Sequence, residues 1–187
     1  QQALDVEKES AEIRDRYGRH KFGQTLLLSR RLVESGVPLI QVNWSRSNAD
    51  QWDTHAKNYP RLRKMLPAFD QGLAALLEDL QDRGLLDSTM VICLGEFGRT
   101  PRMNKDAGRD HWPDCYSAVV AGGGLKVGQV VGASDRMAAY PISDPIAPWD
   151  LSATMFDNLG ILPADDIHDL LGRPFRISRG RVLRELF

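Results

Sequence analysis

Thr89-Met90-Val91-Ile92-Cys93-Leu94-Gly95-Glu96-Phe97-Gly98-Arg99-Thr100-Pro101 begins as a short apolar, β-branched run and stops abruptly on an acid. A run of this length between turn residues reads as a strand covered on both faces, the kind found in parallel sheets. The carboxyl ends of such strands form the ligand crevice of open α/β sheets, which is where Glu96 falls. Downstream, Gly108-Arg109-Asp110-His111-Trp112-Pro113 adds an acid and an imidazole. Upstream, Trp52-Asp53-Thr54-His55 follows a second apolar run, Pro38 to Val42. Asp53, His55, Glu96, Asp110 and His111 together have the chemical types of a hard or borderline metal site.

Working outward, the chain alternates. Val6 to Tyr17 is charged and amphipathic, and Lys21 to Glu34 is a second helix with Phe22, Leu26, Leu27 and Leu32 for its buried side. The strand Pro38 to Asn43 leads into a polar loop, Trp44 to Asn58. From Arg61 to Arg83 the residues Leu62, Met65, Leu66, Phe69, Leu73, Leu76, Leu77 and Leu80 recur at helical steps, and Gly84 closes that helix. After the Glu96 strand come a long polar loop, Gly98 to Pro113, and a third strand, Tyr116 to Ala121. A short hairpin over Leu125 to Val131, a Pro-rich connector over Tyr140 to Trp149, a helix from Asp150 to about Asn158 and a basic amphipathic tail from Arg173 complete the pattern. This is α/β order in a single domain spanning residues 1–187, without internal repeats. Three strands leave a parallel sheet short of neighbours, and the chain opens on Gln1 without a Met. Both suggest a piece of a larger domain whose N-terminal segment lies outside this sequence.

The chain has 187 residues, 42% of them hydrophobic, and a formal net charge of -1, enough for one core and without bias toward nucleic acid. No apolar run approaches the roughly 20 residues of a membrane span, and no signal peptide is visible. Cys93 and Cys115 fall in or beside core strands and read as inert thiols rather than a disulfide.

Four ordered motifs carry a family resemblance: Trp52 to His55, Gly95 to Pro101, Gly108 to Pro113, and Pro148-Trp149-Asp150-Leu151-Ser152-Ala153-Thr154. The chain resembles the domain of unknown function 1501 family, exported bacterial proteins related to sulfatases. That resemblance implies the three-layer α/β sandwich of the alkaline phosphatase and sulfatase superfamily, with a mostly parallel central sheet of which this chain is the C-terminal portion. It also implies an exported protein. The words Gly84 to Val91, between a long helix and a strand ending in an acid, are similar to that superfamily. Where its members have Asp-His-Gly, this sequence has Glu96-Phe97-Gly98, so Phe97 replaces an imidazole ligand. Asp53, His55 and His111 match in order the Asp and His after an earlier strand and a later His. The superfamily's nucleophile and first-strand Asp have no counterpart here.

The chemistry expected of these residues is a divalent ion, whether zinc, calcium, magnesium or manganese, held by Asp53, His55, Glu96 and His111 and acting on sulfate or phosphate esters. Arg99 and Arg109 flank these ligands, and guanidinium geometry suits an oxyanion. Trp44, Trp52, Trp112 and Trp149 read as loop anchors packed on the core, with aromatic faces for a sugar as the alternative; the partner expected is a small-molecule or carbohydrate ester substrate. The competing reading is a binding or structural protein that keeps the fold with a degenerate site, which Phe97 favours. His20 and His168 read as structural.

Overall fold

The computed structural model describes residues 2–44 and 52–187. The chain gathers into two compact units, Gln1–Thr89 with Arg99–Trp112, and Met90–Gly98 with Pro113–Phe187.

The first unit is built on α1 (Ala11–Arg16), α2 (Lys21–Glu34) and α3 (Asn58–Asp82). The amphipathic segment expected as one helix over Val6 to Tyr17 is broken: a 3-10 turn covers Val6–Lys8, and α1 restarts behind Ser10. The Ser10 hydroxyl accepts from the Ile13 amide at 3.2 Å, satisfying a first-turn donor. His20 caps α2 in the same way, its Nδ1 accepting from the Gly23 amide at 3.1 Å. Leu26 and Leu27 of α2 and Met65, Leu76 and Leu80 of α3 are buried where the two helices pack. Leu66, expected on the buried side of α3, is 44% exposed.

An ionic network is sealed beside this apolar seam. Arg30 is buried and pairs with Glu9 Oε2 at 2.9 Å, Asp79 Oδ2 at 2.8 Å and Glu34. Tyr17 donates its hydroxyl to Asp79 Oδ2 at 3.0 Å, and Arg83 donates Nε to Asp79 Oδ1 at 2.8 Å. Burial alone would push the Asp79 carboxyl up, but the Arg83 hydrogen bond and the Arg30 charge hold it below its ordinary range.

The residues Pro38 to Asn43 form no strand; they run as irregular, mostly exposed chain, with Leu39 64% exposed. Pro38 has no amide to donate, and no neighbouring strand among the described residues offers a ladder. Of the polar loop 44–58, residues 45–51 lie outside the described residues. Its ends are anchored on the helices by ring contacts: Trp44 lies tilted against Phe22 at 4.4 Å between centroids, Trp52 meets Phe69 edge to face at 5.8 Å, and Trp44 and Trp52 meet edge to face at 5.3 Å. Trp52 thereby fixes the chain immediately before Asp53.

In the second unit β1 (Val91–Cys93) pairs antiparallel with β4 (Val119–Ala121), Ile92 opposite Val120. Two more antiparallel pairs follow, β5 (Ala133–Ser134) with β6 (Pro141–Ser143) and β7 (Asp166–His168) with β8 (Pro174–Arg176). The expected mostly parallel central sheet is not found among the described residues. There β1 is a half-buried strand of three residues with one neighbour. The hairpin expected over Leu125 to Val131 carries no strand, and the connector expected over Tyr140 to Trp149 contains β6. The tail is an extended strand, β8, and a terminal 3-10 turn rather than a helix. Cys93 and Cys115 are free, and burial raises the Cys93 thiol.

The core of this unit is where α4 (Pro148–Asn158) meets the tail. Asp150 accepts from the Ala147 amide at 3.0 Å through one carboxylate oxygen and from the Arg181 amide at 2.9 Å through the other. Thr154 accepts from the Leu183 amide at 3.0 Å, and Ser178 donates to the Trp149 carbonyl at 3.1 Å. Ala153, Leu183 and Leu186 are buried around this clamp.

Candidate metal centre

The site belongs to the first unit and is made by two loops and a pair of short strands, β2 (Gly98–Arg99) and β3 (His111–Trp112). The loop between these strands is folded on itself by Asn104, whose side-chain oxygen accepts from the Asp106 and Gly108 amides at 3.0 and 2.9 Å. The loop before α3 then docks onto it backbone to backbone. The Arg109 amide donates to the Thr54 carbonyl at 3.0 Å, the Lys57 amide to Asp106 at 3.1 Å and the Asn58 amide to Ala107 at 2.9 Å. Gly108 permits this approach, because a Cβ there would be driven into the His55 carbonyl.

This docking brings together Asp53, His55 and His111, residues far apart in the chain. His111 Nε2 lies 2.9 Å from Asp53 Oδ1, His55 Nε2 lies 3.1 Å from the same oxygen, and the two Nε2 atoms are 3.1 Å apart. Ligands of a tetrahedral ion with bonds of 2.0–2.1 Å stand about 3.3 Å from one another, so the triangle fits a common ion to within a few tenths of an ångström. Their side chains are 48, 47 and 49% exposed, leaving one side of the triangle open to solvent. Three protein ligands with an open face is the arrangement of catalytic rather than structural zinc.

The surrounding charges are ordered. Arg99 Nη1 pairs with Asp53 Oδ1 at 2.6 Å. The hydrogen bond with His111, helped by Arg99, brings the Asp53 carboxyl down to about 2 in spite of partial desolvation. On the far side of His55, Nδ1 lies 2.8 Å from Asp110 Oδ1. The hydrogen bonds from His55 and Asn104 lower the Asp110 carboxyl.

Two further residues are expected at the site from the sequence, Glu96 and Arg109. Glu96 sits on an exposed bend of the second unit and is not among the three grouped donors. Arg109, expected to bind an oxyanion, turns its Nη1 onto the Thr100 and Pro101 carbonyls at 2.6 and 2.8 Å and so ties the β2–β3 loop. Arg99 remains beside the donors. Sequence reasoning missed Asn104 altogether and placed Asp110 among the candidates without assigning it a partner. An Asn in a polar loop favours bonding its own backbone two residues on, as Asn104 does with the Asp106 amide, and that preference is its trace in the sequence.

The geometry thus defines a two-histidine, one-carboxylate centre carried on docked loops. The chain belongs to the family described as "Protein of unknown function (DUF1501)", which it matches along residues 1–187. No curated protein and no solved structure matches it. Among the described residues, no helix is long and apolar enough to cross a membrane.

Proposed function

We propose that this chain carries the metal centre of a sulfatase-like hydrolase of the alkaline phosphatase superfamily, acting on sulfate or phosphate esters as an exported protein. In this reading the chain forms the C-terminal portion of the catalytic domain. The single observation that carries the proposal is the triangle of Asp53 Oδ1, His55 Nε2 and His111 Nε2, with edges of 2.9 to 3.1 Å and an open face. The motif order described above supplies the superfamily.

When bound, a divalent ion there supplies Lewis-acid polarisation of an ester oxygen. The chain's own residues do the rest. Asp53, His55 and His111 hold the centre, and Asp53 stays ionised because His111 and Arg99 face it. Arg99, next to the open face, meets the anionic sulfuryl or phosphoryl group with a guanidinium suited to two of its oxygens. The nucleophile falls to the N-terminal part of such a domain, so turnover is assayed on the longest natural chain that contains these residues.

A second reading, a non-catalytic metal-binding protein, is favoured by one feature: Arg99 is already paired with Asp53 at 2.6 Å. One experiment separates the two. The stripped protein is titrated with zinc, cobalt and manganese, and hydrolysis of an aryl sulfate and an aryl phosphate is followed. The hydrolase reading expects about one tightly bound ion and turnover, both lost in His111→Ala. Binding without turnover on either ester supports the second reading, and an absence of binding at neutral pH refutes both.

A further inference from the structure

We infer that Asp110, held by Asn104, is a positioning residue that fixes the His55 ring with its Nε2 lone pair aimed at the cluster, selecting a zinc-like ion over calcium or magnesium. This rests on the metal-centre reading above and deepens it.

The geometry is that of an outer shell. Asp110 Oδ1 stands 2.8 Å from His55 Nδ1. The Asn104 amide donates to that same oxygen at 3.1 Å and to the His55 backbone carbonyl at 2.9 Å. One side chain therefore ties the carboxylate to the backbone of the residue it orients. Asn104 is itself fixed by the Asp106 and Gly108 amides, which occupy its other end.

An ionised carboxylate only accepts hydrogen bonds. With Asp110 accepting from Nδ1 at 2.8 Å, the hydrogen bond selects the ring tautomer whose lone pair is on Nε2. That lone pair faces Asp53 Oδ1 at 3.1 Å and His111 Nε2 at 3.1 Å. Two acceptors directed at one point are stabilised by a shared cation, and a carboxylate behind a ligating imidazole both fixes the tautomer and raises the ring's basicity. Arg99 pairs its Nη1 with Asp53 at 2.6 Å, and a guanidinium has no acceptor with which to hold the Nδ1 proton.

The donor set decides the class of ion. Calcium takes six to eight oxygen ligands and magnesium an oxygen octahedron, whereas two imidazoles with one carboxylate suit zinc and its transition-metal neighbours. Orientation of an imidazole by Asp110 matters only for an ion that takes nitrogen. The two halves of the inference therefore stand or fall together.

The test uses the stripped protein and zinc itself, with a chromophoric chelator as competitor, and cobalt as a visible-absorption probe. Wild type is expected to bind about one zinc that millimolar calcium or magnesium does not displace. Asp110→Ala should weaken zinc binding by about 10–100-fold, the range for loss of an outer-shell carboxylate, and shift the cobalt spectrum. Asp110→Asn should recover part of the affinity, because its amide oxygen still accepts from Nδ1. Nitrogen-15 NMR of the His55 ring should show the proton on Nδ1 in wild type and redistributed in Asp110→Ala, a readout that a purely structural role would not move. The stripped Asp110→Ala protein should melt like the stripped wild type, since the side chain is 52% exposed. Wild type that binds no zinc refutes the metal-centre reading itself. Wild type that binds zinc while both variants bind it equally well overturns only this inference, as does displacement by calcium or an affinity loss that tracks a lower melting temperature of the stripped protein.

Discussion

Gly108→Ala tests whether the centre depends on backbone docking of its two loops. Gly108 is not among the positive-φ glycines, so the cost of alanine there is worked from contact. The added Cβ would overlap the His55 carbonyl and press on the Ala56 nitrogen. Restoring an ordinary contact of about 3.5 Å requires the loops to separate by more than about 1 Å. Four hydrogen bonds oppose that movement: Arg109 N to Thr54 O, Lys57 N to Asp106 O, Asn58 N to Ala107 O, and Asn104 Nδ2 to His55 O. Loss of two of them at about 1 kcal/mol each gives a destabilisation of about 2 kcal/mol. Metal sites tolerate displacements of only about 0.2 Å, so a shift of about 1 Å takes His55 out of the ligand set. Zinc affinity should fall by at least about 100-fold, the upper end of what loss of an outer-shell residue costs. Urea denaturation of the stripped protein and competitive zinc titration measure the two effects separately, with Lys105→Ala, an exposed neighbour in the same loop, as the control. A Gly108→Ala protein with wild-type stability and wild-type zinc affinity would refute the docking account.

Three further outcomes are expected. Asp79→Asn removes a buried partner of Arg30 and should cost about 3 kcal/mol in urea denaturation, less than a lone buried pair because Glu9 and Glu34 still face the guanidinium. Because the Asp79 carboxyl is lowered in the folded state, its stabilisation is complete above its unfolded value near 3.9 and is lost as pH falls through the folded value; wild-type stability should therefore decline below about pH 4, and less steeply in the variant. Asp150→Ala in the second unit leaves the Ala147 and Arg181 amides without acceptors and should cost about 2 kcal/mol, with faster tryptic cleavage at Arg179 and Arg181. Unchanged cleavage and melting would dismiss the clamp.

The helices were the readable part of the fold. In α2 and α3 the apolar residues recur at helical spacing and bury one face against the other, so periodicity alone locates them. Leu66 shows the limit of that reading: it lies on the apolar stripe, yet this end of α3 leaves it exposed. Strands were read less well, since a short apolar run carries no information about its partner. Val91 to Cys93 forms a strand, but antiparallel and with one neighbour, whereas Pro38 to Asn43, also expected as a strand, forms none. Local composition fixes an extended preference, and pairing decides whether it becomes a strand.

The same distinction applies to the site. Asp53, His55 and His111 stand out in the sequence by chemical type, because two imidazoles and a carboxylate are the donor types of a borderline metal site. Arg99 and Arg109 looked equivalent by that standard, and only geometry separates them, one on Asp53 and the other on two backbone carbonyls. The motif from Pro148 to Thr154 carries part of the family resemblance, and in its own unit Asp150 and Thr154 are acceptors for the tail amides. What brings His55 to His111 is a backbone contact at Gly108, and a glycine in a sequence says that something comes close without saying what. The donors are thus marked by their side chains, but the cluster is assembled by main-chain hydrogen bonds, to which almost any sequence with the right turns contributes equally. A substitution that leaves every donor intact can therefore abolish the centre, as Gly108→Ala is expected to do.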